Sequence, residues 1–300
     1  MSLFNKLVVS ALPFIPKPVV GQVSKRYIAG ETLDDAVATV RSLNSKKCMA
    51  TLDLLGEDIF TDEEAVATRE SVLQMYPAIR SNNLDSNVSI KPTQFGLRIN
   101  KEFCYSSIRS VVAKARELKN FLRIDMEDAT TTDTTLGMYH RLRDEGFENT
   151  GVVIQAYLHR SENDVRNLTK KKANIRLCKG IYVESSSIAI KERSGIQQNY
   201  LKLLRQAFEG GCYIGIATHD EYLVQEAYKI IGAMKLNPSH YEFQMLLGVR
   251  ESLRDQIIAN GHRLRVYVPY GERWYAYSIR RLKENPAMAG YITKALFGLK

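Results

Sequence analysis

The chain has 300 residues, 45% apolar and 25% charged, enough to bury a sizeable core in one large domain or two ordinary ones without staples. Its net charge of +9 favours anionic partners, but the one tight basic run, Lys170–Lys171–Lys172, follows a helical pattern and reads as a solvated helix end rather than a nucleic-acid patch. The cysteines Cys48, Cys104, Cys178 and Cys212 form no CxxC pair, which argues against zinc; three of them lie in or beside apolar runs and read as reduced, buried thiols of a cytoplasmic protein.

The N-terminal apolar stretch is interrupted by Pro13, Pro16 and Pro18, too soon to cross a bilayer, and shows no secretory cleavage pattern. Two helical patterns follow, roughly Val19–Ala29 and Leu33–Leu43, and residues 1–45 are expected to pack as a helical segment on the remaining 46–300. Eight short runs then carry the strand signal: Cys48–Leu52, Val88–Lys91, Phe121–Ile124, Val152–Ala156, Ile175–Lys179, Tyr213–Ala217, Tyr241–Met245 and Leu264–Val268. Between them, Thr61–Tyr76 opens with a threonine cap and acids in its first turn. Thr134–Glu145 carries Leu136, Tyr139 and Leu142 at helical spacing and stops at Gly146; Asp220–Ile231 starts at an aspartate and ends at Gly232.

Eight strands alternating with helices predict an α/β fold, a (β/α)8 TIM barrel with extra N-terminal helices. A doubly wound sheet is the structural alternative, but neither a GxGxxG turn nor a P-loop is present.

In a barrel, chemistry sits at the C-terminal strand ends. Those ends are polar throughout: Asp53 with Gly56 and Glu57, then Lys91, then Asp125, Glu127 and Asp128, then Gln155, then Arg176 and Lys179, then Thr218, His219 and Asp220, then Gln244, then Tyr267. One such residue is an ordinary polar cap. A ring with two lysines and an arginine suits an anionic ligand, such as a phosphate-bearing cofactor. Of the five histidines only His219 falls at a strand end, so no metal site is expected, and no GxSxG supports a nucleophilic triad.

After the last strand, Tyr277, Arg280, Arg281 and Glu284 share one face of a predicted helix. Glu284 can steady either guanidinium, and two fixed forks make a clamp for a carboxylate with Tyr277 as a wall. The alternative is a solvated, salt-bridged surface helix.

The segments TLDLLGE (51–57), KPTQFG (91–96), RIDMEDAT (123–130), VVIQAYLHR (152–160), RLCKGIYVE (176–184), ATHD (217–220), EFQMLLG (242–248), RVYVPYG (265–271) and YSIRRLKEN (277–285), in this order, resemble proline dehydrogenase. The resemblance implies a distorted barrel of the stand-alone bacterial type, binding FAD noncovalently at its C-terminal face. It implies oxidation of L-proline to Δ1-pyrroline-5-carboxylate, the first step of proline catabolism, with electrons passed to a membrane quinone. That fits a cytoplasmic protein with peripheral contact to the inner face of the cell membrane and no nucleic-acid partner. On its length of 300 residues the chain is expected to be the stand-alone enzyme, without the family's fused aldehyde-dehydrogenase module or DNA-binding segment.

Carried over residue by residue, the resemblance puts Lys91, Arg280 and Arg281 on the proline carboxylate, and Leu246, Tyr267 and Tyr277 against the pyrrolidine ring. It gives the flavin Asp125, Met126, Gln155, Arg176, Lys179, Gly180, Tyr182, Thr218, His219 and Glu284. Glu57 would hold Arg280 until proline takes it, making a gate. Hydride transfer asks for orientation more than acid–base work, and Arg176 is the candidate to stabilise an anionic reduced ring.

Three departures stand out: Pro92 after Lys91, Cys178 for an aliphatic residue, and Val183 where the family often has an aromatic. Pro92 restricts the backbone of Lys91, and Val183 bears on the flavin packing. Two other readings remain open on the residues alone. One is a pyridoxal-phosphate barrel with Lys91 or Lys179 as the Schiff base; the other is a non-catalytic basic barrel.

Overall fold

The structure, a computed structural model, describes residues 17–56, 59–275 and 277–279. It begins with α1 (Lys17–Ser24) and α2 (Leu33–Ser45). Strands and helices then alternate: β1 (Met49–Leu54), α3 (Asp62–Ser81), β2 (Ser86–Ile90), α4 (Lys101–Glu117), β3 (Leu122–Ile124), α5 (Thr132–Asp144), β4 (Thr150–Gln155) and α6 (Ser161–Thr169). The second half is β5 (Asn174–Cys178), α7 (Arg193–Glu209), β6 (Tyr213–Ala217), α8 (Glu221–Ala233), β7 (Tyr241–Leu246), α9 (Glu251–Ala259) and β8 (Leu264–Tyr270). The strands pair in sequence order and in parallel, and β8 closes on β1 with Tyr267 opposite Thr51. This is the (β/α)8 barrel the alternation predicts.

Local chemistry explains the elements. Thr61 caps α3 by accepting from Glu64 N at 3.2 Å, and Thr32 with Asp35 forms a capping box on α2. The strands are buried on both faces, as a sheet covered by helices requires. Between barrel and helices lies one continuous apolar core that includes Leu52, Met75, Ile90, Ile124, Ile154, Tyr200, Ile216 and Phe243.

All five predicted helices shift at their ends, and α2 and α8 each run two residues further than expected, to Ser45 and Ala233. The α3 helix does not stop before Pro77 but runs through it to Ser81. Proline's fixed φ is helical, and the buried face of Val72, Met75, Tyr76 and Ile79 outweighs the lost backbone bond. The α1 helix ends at Ser24 rather than Ala29, because Ala29 N donates to Pro269 O at 2.9 Å and draws the chain along the end of β8. The α5 helix starts at Thr132, two residues before the predicted Thr134.

The barrel interior carries charged side chains at both ends. Arg123 on β3 is only 2% exposed; its Nη1 donates to the carbonyls of Val152 at 3.0 Å and Asn174 at 2.7 Å. Gly151 makes room for it, since a Cβ there would lie 2.4 Å from Nη1. Beside it Arg265 Nε donates to Glu242 Oε1 at 2.7 Å, and these charges line a cavity of about 470 Å³ at the N-terminal strand ends.

Candidate active site

At the opposite, C-terminal strand ends a larger cavity of about 770 Å³ opens. Alternation along each strand aims one set of side chains into it: Arg176 and Cys178 from β5, Gln244 and Leu246 from β7. All thirteen predicted site residues that fall among the described ones line this one cavity: Lys91, Asp125, Met126, Gln155, Arg176, Lys179, Gly180, Tyr182, Thr218, His219, Leu246, Tyr267 and Tyr277. Residues that the chain scatters over nearly 190 positions thus meet around a single space. Glu57, Arg280, Arg281 and Glu284 lie outside the described residues.

The floor of the cavity is a chain of charges. Lys91 Nζ donates to both oxygens of Asp53, at 2.8 and 3.0 Å, and lies 3.3 Å from the hydroxyl of Tyr267. Tyr267 donates to Asp125 Oδ2 at 2.8 Å. The other Asp125 oxygen accepts from Ser89 Oγ at 2.7 Å and from Arg176 Nη1 at 2.6 Å. Arg176 Nε donates to Gln244 Oε1 at 2.6 Å. Two cations and two carboxylates are therefore held in register under the open space, each charge answered by its neighbour.

Asp53 is fully buried. Burial pushes its carboxyl above the usual range, and the Lys91 ammonium works against that push. Tyr267 is held well above the ordinary phenol range by burial and by the nearby Asp125 and Asp53 carboxylates, so it stays a hydrogen-bond donor. Burial raises the Cys178 thiol to about 12, which leaves it a small apolar wall rather than a nucleophile.

Pro92 suits Lys91. The residue before a proline is confined to extended backbone, and Lys91 has φ −111° and ψ 127°. A turn of 3-10 helix, Pro92–Phe95, follows; within it Gln94 accepts from Lys91 N at 3.1 Å and donates to Leu54 O at 2.6 Å. The lysine backbone is thereby fixed before its side chain reaches Asp53.

One rim is cationic. Lys179 Nζ and Arg193 Nη2 each lie 3.3 Å from Asp220 Oδ2, and Arg250 reaches the carbonyl of His219 at 3.3 Å. Gly180 turns the chain at φ +112° after Lys179, where a Cβ would lie 2.1 Å from the Tyr157 ring, so only glycine fits. Val183 is 99% exposed and does not line the cavity; Ile181 and Tyr182 do.

Arg193 and Arg250 are site residues that the sequence reading did not single out. Neither stands at a strand end: Arg193 opens α7 and Arg250 precedes α9 in a left-handed conformation, φ 49°. The unusual backbone of Arg250 is visible only in three dimensions.

The sequence matches the proline dehydrogenase family over residues 36–294. The chain belongs to that family. It is 35% identical over 273 residues to proline dehydrogenase 1 of Bacillus subtilis subsp. natto, covering 91% of this chain and 90% of that one. It is 34% identical over 278 residues to the proline dehydrogenase of Deinococcus radiodurans, covering 91% and 90%. Membership makes it a dehydrogenase of proline catabolism.

Among solved structures, proline utilization A from Bdellovibrio bacteriovorus, inactivated by N-propargylglycine, superimposes with a TM-score of 0.85 over 99% of this chain at 22% identity. That likeness concerns the barrel fold. This chain spans 39% of that protein's length.

Proposed function

We propose that the chain is an FAD-dependent L-proline dehydrogenase that yields Δ1-pyrroline-5-carboxylate and passes its electrons to a membrane quinone. The observation that carries this reading is the convergence of Lys91, Asp125, Arg176, Tyr267 and the Lys179–Arg193 rim on one cavity of about 770 Å³.

The residues fit a flavin dinucleotide. The cavity falls within the range of cofactor and ligand sites, roughly 300–1,000 Å³. Lys179 and Arg193 offer cations suited to a diphosphate, close to Thr218 and His219. Met126, Met245, Leu246 and Ile181 supply apolar walls for a planar ring, and Arg176 sits on the floor between them. When bound, the flavin supplies the acceptor for the hydride leaving the carbon next to the proline nitrogen.

The chain's own side chains do the rest. Lys91, with Arg280 and Arg281, holds the substrate carboxylate. Leu246, Tyr267 and Tyr277 pack the pyrrolidine ring and exclude water, so one end of the substrate is fixed by charge and the other by shape. Asp53 and Asp125 keep Lys91 and Arg176 in place while the site is empty. Glu57 occupies Arg280 until proline competes for it, and Glu284 serves the flavin and steadies the arginine pair.

The quinone step has support in the surface. Phe60, Val66, Ile99, Ile181, Val183, Ile188 and Tyr222 are the exposed large hydrophobics among the described residues. All seven lie in the loops or first five helical residues that follow strands, on the face where the cavity opens. That face is the one to rest on a cytoplasmic membrane surface, where a quinone reaches the cavity without crossing water. No described helix is long and apolar enough to span the bilayer.

The test is to release the chromophore from the purified protein by heat and identify it. FAD, with turnover of L-proline using a quinone analogue, is the expected result. A lysine-bound aldimine band removed by borohydride, or no chromophore after reconstitution with FAD, would contradict the proposal.

A further inference from the structure

We propose that Glu242 is a positioning residue for Arg176, acting through the side-chain amide of Gln244. Glu242 and Gln244 are two residues apart on β7 and face the barrel interior, Glu242 lining the cavity at the N-terminal strand ends and Gln244 the cavity at the C-terminal strand ends. The inference rests on the proposed flavin site above Arg176 and extends it downward.

The amide of Gln244 spans two partners. Its Nε2 donates to Glu242 Oε1 at 2.6 Å, and its Oε1 accepts from Arg176 Nε at 2.6 Å. The two ends of an amide are almost the same shape, so the bonding partners alone decide which way it points.

Glu242 decides. It accepts from Arg265 Nε at 2.7 Å, Arg265 Nη2 at 3.2 Å and Tyr213 at 2.7 Å, and Arg265 together with these donors holds its pKa at about 2 against its burial. A carboxylate in that state only accepts. It takes the NH2 end of Gln244 and leaves the carbonyl end for Arg176.

The consequence falls on the guanidinium. Nη1 of Arg176 is engaged by Asp125 and Ser89, on one side of the group. The Nε bond to Gln244 is the second anchor, and two anchors fix the plane of a guanidinium where one leaves it free to swing. A reversed amide would set N–H against N–H and remove that anchor. Gly215 on β6 leaves the amide its space: a Cβ there would lie 2.4 Å from Gln244 Nε2. Glu242 therefore holds one orientation of Gln244, in the space that Gly215 leaves, and through it one orientation of the Arg176 guanidinium.

The test uses the FAD-loaded protein and compares the flavin midpoint potential of wild type, Glu242→Gln, Gly215→Ala and Tyr213→Phe. The first substitution lets the amide reverse. The second displaces it and leaves Glu242 and Arg265 intact. The third weakens the surroundings of Glu242 without touching Gln244. Glu242→Gln and Gly215→Ala are expected to shift the reduction equilibrium about tenfold toward oxidised flavin, a fall of about 30 mV for a two-electron couple. FAD affinity should stay within about threefold of wild type, and Tyr213→Phe should leave the potential in place.

If Glu242→Gln does not fold, Gly215→Ala alone decides. Unchanged potentials in the variants that fold would overturn the inference, as would an equal shift in Tyr213→Phe. A wild-type protein that binds no FAD would instead contradict the flavin site on which the inference rests.

Discussion

Tyr267 donates its phenol hydrogen to Asp125 Oδ2 at 2.8 Å, from β8 across the mouth of the barrel to the loop after β3. The bond fixes the ring that is to pack against the substrate. Burial and two carboxylates keep the phenol protonated, so the contact persists through the working pH range. Tyr267→Ser should open space beside the ring carbons of the substrate. The preference for proline over 4-hydroxyproline, measured as a ratio of kcat/KM values, is expected to fall about tenfold, within the range for one pocket contact. An unchanged ratio would place Tyr267 away from the ring.

Lys91 and Asp53 should respond as a pair. Lys91→Met removes one partner of a buried ion pair and leaves a fully buried carboxylate behind. A loss of about 3–5 kcal/mol is expected by denaturant unfolding, together with a raised KM for proline. Adding Asp53→Leu should restore most of the stability and none of the substrate affinity. Recovery of both would mean that Lys91 is structural only.

Much of this site was legible in the chain. The eight strands stand out because each is a short apolar run closed by polar residues, and their ends align because a barrel places every strand terminus on one rim. Lys91, Asp125, Arg176 and Tyr267 could be named on that ground. Which of them pair could not be read there. Asp53 and Glu242 look like ordinary strand acids until the closed sheet brings them against Lys91 and Arg265, 38 and 23 residues away. Helix ends were misread for a related reason: the pull of Pro269 on Ala29 and the packing of Tyr76 and Ile79 are tertiary effects without a local pattern.

Acid should loosen the N-terminal end of the barrel in a defined window. The carboxyl of Glu242 sits at about 2 in the folded chain against an ordinary 4.5, so its contribution is complete above about pH 4.5 and disappears as pH falls toward 2. Asp53 has the opposite sign: its raised carboxyl favours folding most at low pH and less as pH rises through its folded value. Glu242→Gln should therefore be less stable than wild type at pH 7, and that gap should close on acidification by about 1.4 kcal/mol per pH unit within the window. Urea midpoints at pH 7, 5 and 3 read this directly. A gap that does not change with pH would show that Glu242 is not ionised in the folded protein.

Arg281 carries the substrate clamp in the proposed function. Replacing it with alanine removes a charged hydrogen-bond donor worth about 1.5–3 kcal/mol. The KM for proline is expected to rise about ten- to a hundredfold, with FAD content unchanged. A wild-type KM in Arg281→Ala would mean that the carboxylate is held elsewhere.

In the proposed function one space holds both a flavin and proline, with Arg176 and Lys91 on its floor. An anaerobic titration of the purified protein with L-proline, followed by visible absorbance, tests that most directly. The oxidised flavin bands should bleach, and reoxidation with a quinone should restore them. A protein whose flavin bands stand unchanged under saturating proline, or that carries no flavin after incubation with FAD, would contradict it.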